Sequence, residues 1–301
     1  MQVEEIRVAG VPALVYRAGR TALTIIPQWG GKGVSLRHGV HEFLDVDEAQ
    51  LGPVAGLHRF AETMPLGWDE MLPTIREAEY PDGKYARTHL ADHGDCWNQA
   101  WTQGPTLATW QVQSRLLPIR MSRTVCVRDG EVELQYRFWN QSEDMLYLFH
   151  APHPLFLVRQ GSEVEIPGIR QVELVAGREP RRTVNFPMDN TFLPPRDLSR
   201  VQLHRSPSSF KYYTQHQPEY ARLHHPDGSA VTVRASPLYV TFAVWVNQRG
   251  YRDRAQVAIE PCTAFYEDIP TALAENRIPQ LPPRAALDGT VTLALSEGHD
   301  E

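Results

Sequence analysis

The sequence predicts an all-β protein, an antiparallel β-sandwich with very little helix, and three observations lead to this prediction. Apolar residues alternate with polar ones along segments such as 132–138, which is the period of two that half-buried strands have. Sequences typical of tight turns join neighbouring segments of this kind. The 24 prolines and 20 glycines are spread along the chain, which suits many short strands and long loops.

Two hairpins are marked by their turn residues. Asp129-Gly130 joins the segments 124–128 and 132–138, and both turn residues tolerate the positive φ of a tight turn. The segment Pro226-Asp227-Gly228 joins 220–224 to 230–235 in the same way. Further strands are predicted at 22–27, 106–116, 145–150, 163–166, 240–246, 255–260 and 290–295.

Helical patterns are scarce. One short helix is predicted over 269–276, after Pro270, and a turn or two over 50–60. The glycine-rich run around Gly30-Gly31 lacks the spacing of a phosphate-binding loop and is interpreted as a turn between strands. Because no linker, charge block or repeat divides the chain, we expect a single domain over residues 1–301.

Composition and charge exclude several classes of function. The formal charge is −6 and no basic stripe is present, so we expect no nucleic-acid partner. The first residues lack the features of a signal peptide, and the longest apolar run, 239–246, is too short to span a bilayer. A cytoplasmic protein that does not bind membranes is therefore expected. The three cysteines have no C-x-x-C pair, so they indicate reduced core thiols.

A first candidate site lies in 66–73 and 91–97, which mix Trp68 with Asp69, Glu70 and His93. A sugar site needs this mixture, because aromatic faces stack on the apolar faces of a pyranose while carboxylates and imidazoles bind its hydroxyls. The alternative is an ordinary loop whose tryptophans anchor the core and whose aspartates cap turns.

Two further candidate groups stand at the ends of apolar strands. His150 and His153 flank Ala151-Pro152, and a histidine held between prolines has a stiff backbone; the alternative is a neutral histidine bonded to backbone groups. Glu260 ends the apolar segment 255–260. If it is buried it is a functional candidate, because burying a charge is costly unless it is paired. The period of two that includes Val257 and Ile259 puts it on the other face, so a solvent-facing glutamate is the alternative.

Metal and serine chemistry receive little support. His89 and His93 have the i, i+4 spacing of a zinc hydrolase, but Leu90-Ala91-Asp92 between them does not match the H-E-x-x-H motif. No H-x-H strand motif of a cupin occurs. The G-x-S-x-G motif of serine hydrolases is absent too. We therefore expect neither a metal nor a cofactor.

Taken in order, these motifs resemble the galactose mutarotase-like superfamily, and within it the bacterial branch related to aldose 1-epimerase. The matching pieces are G-G (30–31), G-W-D-E-M-L-P (67–73), D-H-G-D-C-W (92–97), H-P-L-F (153–156) and E-P-C-T (260–263). One departure is Asp95, which follows His93-Gly94 where characterised galactose mutarotases have a second glycine.

The resemblance implies an antiparallel β-supersandwich with its site in the cleft of one sheet. It implies that Glu260 is the catalytic base and His153 the catalytic acid. It further implies that His93 contacts the sugar, and that Asp69, Glu70 and Trp68 line the pocket. For His153 to start as an acid it must be protonated, so a neighbouring carboxylate is expected to raise its pKa.

These features predict an aldose 1-epimerase (mutarotase)-like isomerase that interconverts the α and β anomers of an aldose or sugar phosphate. The alternative is a non-catalytic carbohydrate-binding or sensing protein on the same fold. A glycosidase, using Glu260 with Asp69 or Glu70, is a third hypothesis. A sugar-sized gap between Glu260 and His153 would favour the epimerase, and a solvent-facing Glu260 would favour the binder. The expected partner is a small-molecule sugar, and a homodimer is a further hypothesis.

Overall fold

The computed structural model describes residues 1–54, 56–57, 59–175, 181–191 and 195–298. The first thirteen strands are β1 (Gln2–Val8), β2 (Val11–Ala18), β3 (Thr21–Ile26), β4 (Lys32–His38), β5 (His41–Glu42), β6 (Trp68–Met71), β7 (Ala78–Glu79), β8 (His89–Leu90), β9 (Thr102–Gln103), β10 (Thr109–Gln113), β11 (Ile119–Arg128), β12 (Glu131–Asn140) and β13 (Leu146–Tyr147). The other thirteen are β14 (Ala151–Leu157), β15 (Glu163–Glu165), β16 (Gln171–Val175), β17 (Arg182–Asn185), β18 (Met188–Asp189), β19 (Arg196–Asp197), β20 (Ser208–Thr214), β21 (Ala221–His224), β22 (Ala230–Ala235), β23 (Thr241–Gln248), β24 (Ala255–Cys262), β25 (Gln280–Leu281) and β26 (Ala286–Ser296).

Two antiparallel sheets form the body of the protein. The larger has 12 strands in the order β1-β2-β3-β4-β6-β14-β24-β23-β20-β16-β17, with β5 paired to β4. The smaller has 8 strands in the order β15-β21-β22-β26-β12-β11-β10-β9. The strands paired within each sheet run antiparallel. The predicted all-β fold class is therefore confirmed.

Helix is confined to short pieces. The helix α1 (Ile269–Ala274) is capped by Asp268, whose carboxylate accepts a hydrogen bond from the Thr271 amide at 2.8 Å. This bond satisfies one of the free amides at the helix N-terminus. The short 3₁₀ helices are Pro27–Trp29, Glu48–Gln50, Phe60–Glu62 and Gly83–Tyr85. The predicted short helix is thus observed, and the predicted turns lie at both ends of 50–60.

Both predicted hairpins are present. The strands β11 and β12 pair along their whole length, from Ile119–Asn140 to Arg128–Glu131, and Gly130 has the positive φ of 78° that its turn requires. The strands β21 and β22 form the second hairpin, with Gly228 at φ 81°. The predicted strand 145–150 is mostly wrong, because only β13 within it pairs, with β25.

The core lies between the two sheets. The inward faces of β11, β12 and β26 pack against those of β6, β14, β23 and β24. In β24, Val257 and Ile259 belong to this core, so the period of two turns Glu260 to the opposite face of the large sheet. That face is covered as well, since Glu260 has no exposed surface. The solvent-facing alternative for Glu260 is therefore wrong.

In the part of the chain that the structure describes, no helix has the length and apolar character required to cross a membrane.

Candidate active site

A cavity of about 420 Å³ opens on the outer face of the large sheet. Strands β14, β20 and β23 form its floor, and its walls come from the loops that contain Phe60 and His93 and from the segment after β24. Its lining side chains are aromatic, basic and acidic together. They include Phe60, Arg76, Asp92, His93, His153, Lys211, Trp245, Tyr251 and Glu267.

Strand register places the candidate groups in one row across the sheet. Asp69 of β6 lies opposite His153 of β14. Leu155 of β14 lies opposite Ala258 of β24, and two residues further along this register His153 lies opposite Glu260. Side chains opposite each other in adjacent strands point to the same face and are in contact distance. The sheet therefore brings residues about 190 positions apart to one spot.

Glu260 is the buried centre of this row. Its Oε1 lies 3.4 Å from Nε2 of His153, and its Oε2 accepts a hydrogen bond from Nζ of Lys211 at 2.7 Å. Glu260 itself does not line the cavity, whereas both of its partners do. A molecule in the cavity therefore contacts His153 and Lys211, and the Glu260 carboxylate lies behind these two side chains.

Burial and neighbouring charges shift the two pKa values in opposite directions. Burial raises the pKa of Glu260, and the ammonium group of Lys211 partly offsets this. Burial holds the pKa of His153 well below its ordinary value, and His93, Lys211 and Lys32 lower it further. The prediction that a carboxylate neighbour raises the pKa of His153 is therefore wrong, because desolvation and three basic groups lower this pKa. The imidazole is neutral at pH 7.

His93 borders the cavity from a strained loop. Its own φ is 63°, and its amide donates to the Ile75 carbonyl at 2.7 Å. The ring of Phe60 stacks on its imidazole with 3.8 Å between centroids, and the His153 ring stands edge-on at 5.4 Å. Gly94, at φ 67°, is required here, because a Cβ would lie 1.9 Å from the Leu72 carbonyl oxygen.

Asp95 explains the departure from the H-G-G pattern. Its buried carboxylate accepts hydrogen bonds from the Ser114 hydroxyl at 2.8 Å and from the Arg115 amide at 2.6 Å. Ser114 and Arg115 belong to the turn between β10 and β11. Asp95 thus anchors the His93 loop to the smaller sheet instead of entering the cavity.

Asp69 lies on the site face but is occupied by a partner. Its Oδ2 accepts a hydrogen bond from Nζ of Lys32 at 2.5 Å, and both side chains are buried. Neither residue lines the main cavity; Lys32 borders a smaller one of about 160 Å³ beside it. The ammonium group of Lys32 also lowers the pKa of His153, but by less than burial, His93 and Lys211 do.

Glu70 and Trp68 face the core instead of the cavity, which corrects the expectation that they line the pocket. Glu70 alternates with Asp69 along β6, so it points between the sheets. Its carboxylate accepts hydrogen bonds from Arg123 at 2.7 Å and Tyr136 at 2.9 Å, and lies 3.0 Å from Nε2 of His150. Trp68 is part of the same core. Neighbouring residues in a motif were expected to share a site, but the strand sends them to opposite faces.

Sequence reasoning missed several cavity residues, among them Phe60, Lys211, Trp245 and Tyr251. Lys211 lies in β20, which was not predicted as a strand, and Phe60 lies in a loop without a pattern. Trp245 and Tyr251 meet edge-to-face at 6.2 Å and supply the aromatic surface that Trp68 was expected to supply. Trp245 lies within a predicted strand. The one available signal in the sequence was the polarity of the strand face on which Trp245 lies.

Within the described residues, no group of three or more His, Cys, Asp or Glu side chains is arranged to hold a metal ion.

No protein-family model and no curated protein matches this chain. Solved structures do resemble it. A galactose mutarotase-like protein from Lactobacillus casei has a TM-score of 0.70 at 14% identity, covering 94% of this chain and 100% of its own. Another from Clostridium acetobutylicum has a TM-score of 0.67 at 14% identity, with 98% of each chain covered. A protein from Escherichia coli K12, provisionally named an aldose 1-epimerase, has a TM-score of 0.69 at 13% identity, covering 94% and 98%.

At these identities the likeness concerns the fold, and it extends over nearly the whole of this chain and of each relative. The predicted resemblance is confirmed at that level, and the chain has the galactose mutarotase-like fold.

Proposed function

We propose that this protein is an aldose 1-epimerase-like isomerase that interconverts the α and β anomers of an aldose or sugar phosphate. One observation carries the proposal: acid–base atoms beside the cavity are buried without a hydrogen-bond partner. They are Nδ1 of His153 and Oε1 of Glu260, whereas Nδ1 of His93 on the cavity wall has Oδ2 of Asp92 at 3.1 Å. Because buried polar atoms are nearly always bonded, such a cluster supports a site whose missing partner is a hydroxyl-rich ligand.

The chemistry needs one proton to leave the anomeric hydroxyl and one to reach the ring oxygen. We assign the first step to the Glu260–His153 pair, since Glu260 carries the negative charge and His153 is neutral. The bond between C1 and the ring oxygen breaks as the C1 carbonyl forms, and the pair returns its proton to the ring oxygen. After rotation about C1–C2 the steps run in reverse, so the cycle consumes no proton and needs no cofactor.

Binding roles follow from the cavity walls. We assign His93 to the ring oxygen, since its imidazole stands beside that of His153 at 5.4 Å between centroids. Trp245 and Tyr251 offer a flat apolar surface on which the face of a pyranose can stack. Arg76 and Glu267, which pair at 3.4 Å, are placed to bind hydroxyl groups or a substituent of the sugar.

A non-catalytic carbohydrate-binding protein is the second candidate, and one observation favours it. The 3.4 Å between His153 and Glu260 leaves no sugar-sized gap between them, so a sugar must approach both from one side. The glycosidase hypothesis has lost its proposed carboxylate pair, because Glu70 faces the core and Asp69 is bound by Lys32. The single domain, the homodimer and the cytoplasmic location stay predictions.

Exchange NMR tests the proposal directly. Magnetisation transfer between α and β anomer signals is measured over a panel of free and phosphorylated aldoses, with and without the protein. Accelerated exchange of at least one sugar supports the isomerase. Saturable binding without accelerated exchange supports the binder, and neither result with any sugar would contradict both.

A further inference from the structure

The chain uses lysine sparingly. Of its 30 basic Lys and Arg residues only three are lysines, Lys32, Lys84 and Lys211. Lys84 is an exposed side chain, with 67% of its surface accessible. The other two lie on the outer face of the large sheet, Lys32 buried and Lys211 half-buried, each bonded to a carboxylate of the row that contains His153. Since lysine is a compact point charge where arginine is a planar fork, its use at these two positions needs a local reason.

Lys211 has such a reason in its geometry. Its Nζ donates to Oε2 of Glu260 at 2.7 Å, while the other carboxylate oxygen faces His153. Its ammonium group lies 5.5 Å from the ring centroid of Tyr213. Lys211 also borders the cavity. The ammonium group therefore fixes both the orientation and the charge of the carboxylate.

We propose that Lys211 is a positioning residue of the acid–base pair, whose ammonium group keeps Glu260 ionised and turned towards His153. The effect of Lys211 on catalysis rests on the proposed function. Its effect on the charge and orientation of Glu260 does not depend on that function. In this role Lys211 acts through Glu260, and a neutral side chain of similar size cannot replace it.

Charged and titratable groups from several elements lie around the pair. They are Lys32 of β4, Asp69 of β6, His93 of the loop after β8, Lys211 and Tyr213 of β20, Cys262 of β24, and Glu267 of the following segment. Burial raises the pKa of Glu260, and Lys211 is the largest effect that opposes it. Burial and His93 lower the pKa of His153, and Lys211 lowers it further. Removing this ammonium group therefore raises the pKa of both partners.

The test compares Lys211→Met, Lys211→Gln and Lys211→Arg with the wild type. Lys211→Gln keeps a donor for Glu260 but carries no charge, so it remains informative if Lys211→Met folds poorly. Lys84→Met is the matched control, since it removes a lysine charge from the surface. The His153 imidazole is titrated by ¹⁵N NMR, with its signals identified by their loss in His153→Asn, and the pH profile of kcat/KM is recorded for any sugar turned over.

We expect both neutral variants to move the His153 titration and the ascending limb of the pH profile upward by one pH unit or more. At a fixed pH below the limb, activity then falls about tenfold for each pH unit that the limb moves. Lys211→Arg restores part of the wild-type position, and Lys84→Met changes neither curve. If folded Lys211→Met and Lys211→Gln both keep the wild-type titration of His153, the proposal is overturned. If no sugar is turned over, the isomerase proposal fails, while the NMR titration still decides the role of Lys211.

Discussion

Nε2 of His153 lies 3.4 Å from Oε1 of Glu260, on adjacent antiparallel strands of the same sheet face. Two titratable groups this close share one environment, so a proton on either one changes the pKa of the other. The pairing of β14 with β24 ends at Leu155 and Ala258, and the Thr263 amide donates to the His150 carbonyl at 3.0 Å in the same register, so His153 and Glu260 lie level between these two points. The acid–base pair is therefore a property of the sheet and does not depend on loop conformation.

Glu260→Gln is expected to reduce anomer exchange about 10²–10⁴-fold. The amide keeps the shape of the carboxylate but cannot accept a proton at neutral pH. It also leaves the ammonium group of Lys211 without its closest partner, so the free energy of unfolding falls by about 1–3 kcal/mol. Exchange NMR and urea unfolding measure the two effects. Wild-type exchange by the variant would remove Glu260 from the mechanism.

The double variant Glu260→Gln with Lys211→Met is the control for the loss of stability expected in Glu260→Gln. It removes both members of the buried ion pair, and replacing a whole pair is far less destabilising than breaking it. We expect it to unfold at a higher urea concentration than Glu260→Gln alone while remaining inactive. A double variant that is no more stable than the single one would mean that Lys211 is satisfied by other groups.

His153→Asn is expected to lower anomer exchange to about the same level as Glu260→Gln, because both residues serve one proton transfer. Combining the two substitutions should therefore add little further loss. Exchange rates of the wild type, both single variants and the double variant form a complete cycle. Losses that multiply in the double variant would show that the two groups act in independent steps.

Glu70→Gln tests a residue that the motif placed in the pocket and the structure places in the core. Its carboxylate bonds Arg123 and Tyr136 in the space between the sheets. Leaving the Arg123 charge buried and without its partner costs about 3–5 kcal/mol. We expect a large fall in melting temperature, whereas sugar affinity of the folded fraction is unchanged.

The exposed pair of Arg128 and Glu131 supplies the control for Glu70→Gln. Because water already solvates these side chains, Glu131→Gln should change stability by less than about 1 kcal/mol. If Glu70→Gln is no more destabilising than Glu131→Gln, the buried network contributes nothing to stability. If it weakens sugar binding alone, Glu70 belongs to the site after all.

The fold could be predicted from the sequence because its signals are local. The Asp129-Gly130 turn and the alternation in 132–138 are contained within a few residues, and β11 and β12 follow them directly. The segment 145–150 misled because it is apolar from Met145 to Phe149, and a continuous apolar run does not reveal whether a strand partner exists. Only β13 within it forms strand pairs.

The site was only partly predictable, because faces and charges depend on tertiary structure. The period of two correctly turned Glu260 away from Val257 and Ile259, but it could not show that loops cover that face. Nor could the sequence show which of Asp69 and Glu70 points to the core and which to the outer face, since the position of the first inward-facing residue of the strand was unknown. The neutral state of His153 depends on burial, His93 and Lys211, which come from three different parts of the chain.

Acid should destabilise the protein through the buried pair of His150 and Glu70. Burial lowers the pKa of His150 and outweighs the opposite effect of Glu70, so the unfolded chain takes up a proton that the folded one excludes. This contribution to stability is complete above the ordinary histidine pKa of about 6.5 and is lost as the pH falls below it.

The contribution of Glu70 to the free energy of unfolding changes with pH in the same direction as that of His150. Burial raises its pKa, but His150 and Arg123 together bring it below the ordinary value, so its contribution is present above about pH 4.3 and is lost at lower pH. Glu260 works in the opposite direction, because burial raises its pKa and protonation relieves the buried charge. A comparison with His150→Gln therefore isolates the histidine.

Urea unfolding of the wild type and of His150→Gln at pH 7.5, 6.0 and 5.0 measures this dependence. Where the folded protein binds one proton fewer than the unfolded chain, the wild-type free energy of unfolding falls by about 1.4 kcal/mol per pH unit. The fall should begin near pH 6.5 and be shallower in His150→Gln, which has no proton to take up at that position. Parallel curves for the two proteins would mean that His150 is already protonated in the folded state, with Glu70 as its counter-ion.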